Sequence, residues 1–132
     1  AMRLYPPAWI VAREAAVDCV IGGYALPKGT AIMMSQWIKH RDGRVFERPN
    51  DFDPTRWLQQ APLPKFAYFP FGGGPRLCIG SGFAMMEAPL GLARICQSFR
   101  FECDADYDVK PWATITLHPT GGMHLRVRAV ED

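Results

Sequence analysis

The sequence lacks a long apolar run. No stretch approaches the roughly 18 to 20 uninterrupted apolar residues that cross a bilayer, and no positive segment followed by an apolar one opens the chain. No membrane span and no secretory leader is therefore read, and a cytoplasmic protein is expected. Charge of one sign is scarce too. Fifteen Lys and Arg face thirteen Asp and Glu, a net charge of +2, which is too little to argue for nucleic acid. Lys39, His40, Arg41, Arg44 and Arg48 stand among Asp42, Glu47 and aromatic residues, and read as solvated surface. Cysteine is sparse: positions 19, 78, 96 and 103 form no CxxC and have no nearby His pair, which argues against structural zinc. Free thiols are the default in a reducing compartment. Cys19, Cys96 and Cys103 read as small buried apolar residues. No internal repeat and no low-complexity segment is present.

What is abundant is punctuation. Twelve Pro and twelve Gly in 132 residues predict many short elements in a chain of single-domain size. Pro6-Pro7 ends whatever helix Ala1 to Tyr5 belongs to. Gly22-Gly23 reads as a hairpin turn between Val17 to Ile21 and Tyr24 to Leu26. Pro27-Lys28-Gly29 is a second turn, followed by the β-prone run Thr30 to Met34. Between 35 and 70, seven aromatic residues alternate with five prolines and no period survives. The expectation there is an ordered coil stapled by aromatic contacts, because disordered segments are poor in aromatics. At the far end, Ile115 and Leu117, then Met123, Leu125 and Val127, read as two strands around a turn at Pro119 to Gly122.

One helix is well signalled, from Ser81 to about Ser98. Ser81 is a candidate N-cap, and Phe83, Met86, Leu90 and Ile95 recur at helical spacing. Met85, Ala88, Leu92, Ala93 and Cys96 fill the other side, so the helix is apolar nearly all round and is expected to be buried. Pro89 removes one backbone hydrogen bond, and a kink is expected there. Directly before this helix runs Phe69-Pro70-Phe71-Gly72-Gly73-Gly74-Pro75-Arg76-Leu77-Cys78-Ile79-Gly80. Three glycines let the backbone turn sharply and lie flat against a bulky planar object. Cys78 sits just before a helix N-terminus, where the dipole and free N–H groups favour a negatively charged sulfur. Arg76 offers a fixed cation for a carboxylate of the same ligand. The loop spacing matches neither the Walker phosphate loop nor GxGxxG. A thiolate on such a loop suits an axial haem ligand.

Phe71-x-x-Gly74-x-Arg76-x-Cys78-x-Gly80 resembles the haem-binding signature of the cytochromes P-450, and the likeness continues through Phe83-Ala84 and Glu87. Arg3-Leu4-Tyr5-Pro6-Pro7 resembles the end of that family's ExxR helix. Asp18 to Gly23 with Leu26-Pro27-Lys28-Gly29-Thr30 is similar to its hairpin and PKGT turn. Trp37 to Asp42 resembles its "hRD" segment, and Phe52-x-Pro54-x-Arg56-Trp57 its FxPxRW element. The likeness covers essentially the whole chain, but only the last third or so of a typical member.

The resemblance implies an α+β chain, the C-terminal part of the mainly helical P-450 fold. Its parts would be a helix end and hairpins over 1–34, a meander over 35–70, a Cys loop over 71–80, a buried proximal helix over 81–98 and C-terminal strands over 99–132. It implies haem b as cofactor and Cys78 as catalytic residue and axial iron ligand. Arg76 and Arg13 would pair with the haem propionates, and Phe71 would pack beside the sulfur and tune it. Gly72, Gly80 and Ala84 would be the small residues against the cofactor. Arg3 and Arg56 would form an ion-pair cluster with the ExxR glutamate, whose place is one before Ala1. Ala8, Trp9, Ile10 and Val11, with Ala113, Thr114 and Ile115, would face the substrate. The implied activity is monooxygenation of a small organic molecule, with a ferredoxin or flavoprotein reductase as electron donor. The oxygen-activating helix is not among these residues, and Pro89 and Gly91 are unusual in the proximal helix. The 132 residues alone are therefore expected to be inactive, the competing reading being a catalytically silent remnant that binds haem loosely.

Overall fold

In the computed structural model, residues 1–58, 62–104 and 106–130 are described, so positions 59–61 of the meander lie outside. The chain opens on one helical turn, with the Leu4 and Tyr5 amides donating to the Ala1 carbonyl at 3.0 and 2.9 Å. Pro6-Pro7 stops it, as a residue without an N–H must. Strand β1 (Ile10–Glu14) then pairs antiparallel with β4 (Ala31–Ser35), from Ile10↔Ser35 to Glu14↔Ala31. Between them lies the expected hairpin of β2 (Cys19–Ile21) and β3 (Tyr24–Leu26). Its turn residues Gly22 and Gly23 have φ of 59 and 87°, the left-handed pair that a two-residue hairpin turn demands. The PKGT turn closes through Thr30, whose amide and hydroxyl both donate to the Pro27 carbonyl.

Strand β4 runs straight into α1 (Gln36–Lys39), capped by Ser35, whose hydroxyl accepts from the Ile38 amide at 3.3 Å. Around this short helix the meander folds inward and builds the buried centre, with Leu4, Ala15, Phe46 and Ala67 sealed among the described residues. The aromatic staples expected from the sequence are present. His40 lies against Tyr68 and Phe69 at 4.9 and 5.2 Å between ring centroids, and Trp57 lies against Tyr68 at 4.9 Å. The 39–48 charge cluster is not uniformly solvated, which corrects the sequence expectation. His40 is fully buried, and the Arg41 guanidinium lies 3.5 Å from the centroid of the Trp37 ring. An aromatic-rich neighbourhood attracts the apolar stem and planar head of arginine. Of its five basic residues only Arg44 and Arg48 stay exposed.

Helix α2 (Ser81–Ser98) runs through Pro89 as expected in length, with two corrections. The N-cap is Gly80, with no side-chain cap, and Ser81 is the first helical residue. The helix is exposed in this chain, Phe83 at 62% and Leu90 at 64%. It is apolar nearly all round, yet among the described elements its main neighbour is β5 (Phe99–Glu102), and most of its apolar side chains stay uncovered. Cys96 and Cys103 are likewise exposed rather than buried, and Cys19 is half-exposed; all four cysteines are free thiols. The C-terminal strands also pair differently from the expected hairpin. β6 (Pro111–Ala113) pairs with β7 (Leu117–Pro119), and β5 pairs with β8 (Arg126–Ala129). The turn at 114–116, where the Thr114 amide donates to the Thr116 carbonyl, already gives β7 a partner. The chain reversing at Pro119–Gly122 is thus free to reach back to β5.

Candidate functional site

Cys78 ends a loop that three backbone bonds hold in shape. Gly72 N–H donates to Phe69 at 2.9 Å, Leu77 N–H to Gly74 at 3.0 Å, and Cys78 N–H to Phe71 at 3.0 Å. Gly72 and Gly74 sit at φ of 75 and 69°, where an L side chain is strained. Gly73 is extended, and its requirement is space: a Cβ there would come within 2.4 Å of the Phe66 ring. Phe66 is itself held at φ 59°, so a strained aromatic residue clamps one face of the loop. After a short 3-10 turn at Gly74–Arg76, Gly80 opens α2 by accepting from the Ala84 amide at 2.9 Å.

The loop, the start of α2 and strand β1 wall a mainly apolar cavity of about 790 Å³. Six of the expected cofactor residues line it together: Cys78, Arg76, Arg13, Phe71, Gly72 and Ala84. Ala8 and Val11 of the expected substrate-facing segment line it too, as does Arg3. Gly80, Trp9, Ile10, Ala113, Thr114, Ile115 and Arg56 do not reach the lining. Gly80 lies behind the sulfur, where an added Cβ would be 3.8 Å from Cys78 Sγ. The two segments expected over the site do meet, since the Trp9 indole donates to the Thr114 carbonyl at 2.8 Å and the Leu117 amide donates to Pro7. Ile115 projects into solvent, 96% exposed.

Arg3 and Arg56 lie near enough for their charges to act on each other, and the bonds each makes among the described residues go to backbone carbonyls. Buried Arg3 donates to the backbone carbonyls of His40 (3.0 Å), Pro49 and Asp51 (2.9 Å) and lies over the Phe46 ring. Arg56 donates to the Glu47 and Arg48 carbonyls, and its Nε is buried with no partner. Burial first, then the neighbouring Arg56 and Arg41 charges, lower the pKa of Arg3. Two convergent guanidiniums with one orphaned donor form a cradle for an anion.

Trp57 and Tyr68 also line the cavity, and residue-by-residue reading missed them. Only the Trp that closes the FxPxRW element carried a signal. The site's chemistry fits a haem. Its wall is mainly apolar, its one thiol is Cys78, and Arg76 makes no side-chain hydrogen bond or ion pair among the described residues. Arg13 bonds only its neighbour's carbonyl, Ala12, at 2.7 Å. Such a pair of available guanidiniums matches a ligand with two carboxylates, and such a sulfur matches iron.

Comparison with known proteins agrees. A family profile described as Cytochrome P450 matches residues 1–126. The chain is 39% identical over 119 residues to cyclooctatin synthase of Streptomyces melanosporofaciens, covering 89% of the chain and 26% of the synthase. It is 38% identical over 131 residues to pentalenene oxygenase of Streptomyces avermitilis, covering 98% of the chain and 29% of that protein. Among solved structures, the haem domain of cytochrome P450DA superposes with a TM-score of 0.88 at 34% identity, over 98% of this chain and 29% of that one. The chain thus spans only between a quarter and a third of the length of these relatives.

Proposed function

The chain belongs to the cytochrome P450 family, and on that premise we propose that it is the proximal part of a haem-thiolate monooxygenase, with Cys78 as the axial ligand. The observation that carries this reading is the meeting of Cys78, Arg13 and Arg76 on one apolar cavity. Haem b bound there would supply dioxygen activation, with two electrons from an NAD(P)H-linked donor and one oxygen atom going to a small organic substrate. The protein's part is positioning. Cys78 is presented by a glycine loop pinned at Phe71, Arg76 and Arg13 would pair with the carboxylates of a bound haem, and Phe71 would pack beside the sulfur and tune it. Gly72 and Ala84 would keep the wall low, Gly80 leaves room behind the sulfur, and the linked Trp9 and Thr114 segments would supply Ala8 to Val11 and Ala113 to Ile115 to the substrate side. Arg3 and Arg56 would receive the carboxylate of a glutamate into their cradle and lock the meander to the ExxR helix.

The likeness to pentalenene oxygenase supports oxygen insertion. A ferredoxin or flavoprotein reductase is the proposed donor. Arg44 and Arg48 are weak candidates for its dock, because Arg44 is tied to Asp42 at 2.7 Å and Arg48 to Asp51 and Asp53. We further propose that the 132 residues alone do not turn over, because Cys78 and the apolar face of α2 stand open to solvent, where little excludes water.

A reduced carbon-monoxide difference spectrum tests the ligand. A thiolate-type Soret band in the haem-reconstituted protein, lost in Cys78→Ala, is expected; its persistence in that variant would overturn the assignment. Hydroxylation by the isolated 132 residues would overturn the second proposal.

A further inference from the structure

We propose that His40 is a positioning residue for Cys78, holding the start of the Cys loop through the amide of Phe69. His40 closes α1, far from the loop in sequence, and its imidazole Nε2 accepts from the Phe69 N–H at 2.9 Å. Phe69 in turn accepts from Gly72, and two residues into the loop Phe71 accepts from the Cys78 amide. A short relay of bonds thus runs from one side chain to the backbone of the residue that bears the sulfur. The ring has no freedom to leave. It is fully buried, packs against Tyr68 and edge-on to Phe69, and its own backbone is tied to Gln36 and to the Arg3 guanidinium. Accepting at Nε2 requires the neutral ring with its proton on Nδ1. Burial above all, and then the facing charges of Arg3 and Arg41, favour that neutral form.

The role differs from that of an ordinary core histidine because the bond it makes belongs to the functional loop. Phe69 and Pro70 carry the chain from the meander into the glycines, and Pro70 has no N–H of its own. The Phe69 amide is therefore the last donor before the loop by which a fixed side chain can register the glycines. The purpose of that register rests on the haem-thiolate reading. The bond itself does not.

The test compares His40→Phe, which fills the space without an acceptor, with His40→Gln, which restores one, in the parent protein as purified. Amide hydrogen exchange at Phe69 is expected to rise about tenfold in His40→Phe, with Gly72 and Cys78 also less protected. Exchange in the β2–β3 hairpin should be unchanged, and Gln should restore most of the protection at Phe69. In the haem-bound protein, His40→Phe should lower the fraction of the thiolate-type carbon-monoxide band and Gln should recover it. Unchanged protection at Phe69 in His40→Phe overturns the proposal, as does equal loosening of the hairpin. If both variants fail to fold, a through-bond 15N–15N coupling between the Phe69 amide and His40 Nε2 in the unsubstituted protein decides, and its absence overturns the proposal. A wild-type protein without a thiolate band would sink the Cys78 reading while the exchange data still judged His40.

Discussion

The meander and helix α2 are both rich in large apolar side chains, but they dispose of them in opposite ways. Phe46 in the meander is 1% exposed, beneath the guanidinium of Arg3, whereas Phe83 of α2 stands mostly in solvent. The meander finds its partners within itself and in the N-terminal turn, since Arg3 gathers three of its carbonyls, His40 takes the Phe69 amide and Arg41 covers Trp37. Helix α2 has one main neighbour among the described elements, β5, and most of its apolar side chains stay exposed. An apolar face is stabilising only against a second surface, and the chain spans about a quarter to a third of its relatives' length. The lesson is that the irregular region, together with the N-terminal turn, is the self-sufficient one.

The largest expected effect tests that contrast directly. Phe46→Ala should destabilise by about 3 to 5 kcal/mol through cavity formation, read as a lower urea midpoint. Phe83→Ala should fall within about 0.5 kcal/mol of wild type in this chain. In the longer parent protein the same Phe83 change should become as costly as a core truncation. If Phe83→Ala costs as much in the isolated chain, the contrast is wrong.

Next comes pH. His40 is held down to about 4, chiefly by burial and further by Arg3 and Arg41, while the Met2 backbone pulls the other way. Because its folded value lies below the ordinary 6.5, the unfolded chain binds the proton first as pH falls. Stability should therefore be full above about 6.5 and decline toward pH 4, by roughly 3 kcal/mol. His40→Gln should flatten that part of the profile, measured as urea midpoint against pH. An unchanged slope would mean that another group titrates.

How much of this was legible in the sequence depends on how local each signal is. The Gly22-Gly23 hairpin, the PKGT turn, helix α2 and the Cys loop are written in neighbouring residues, and each lies where its own turn or period puts it. Helix α1 is four residues long, too short for a period to show. The β5–β8 pairing joins segments more than twenty residues apart, so no local signal could choose it over the nearer hairpin. His40 was read with its charged neighbours because a lone histidine in a basic stretch carries no mark of burial. Its burial follows from where Tyr68 and Phe69 come to rest, a non-local fact. The convergence of Arg3 with Arg56 was readable only through family likeness, whereas the carbonyls that hold Arg3 were not readable at all.

The loop between the two regions gives a smaller effect. Gly73→Ala forces a Cβ to within 2.4 Å of the Phe66 ring, and the overlap should cost about 1 to 3 kcal/mol. Phe66 is half-exposed and could swing aside, so the double variant Gly73→Ala/Phe66→Ala should recover much of the loss. A double-mutant cycle on urea midpoints measures that coupling, and additivity would show that Phe66 does not clamp the loop.

The smallest effect lies on the exposed side. Arg128 pairs with Glu102 across β8 and β5 at 3.1 Å, with both side chains about half exposed or more. In water such a pair loses in desolvation and side-chain entropy most of what it gains by attraction. Arg128→Ala should therefore shift stability by no more than about 0.5 kcal/mol, and added salt should shrink even that. The register sets Arg128 opposite Arg100, so the substitution also removes a like-charge neighbour, which works against any loss. A cost well above that figure would show that the C-terminal sheet is held by its ion pairs, and the exposed half would then be more self-sufficient than its open apolar face implies.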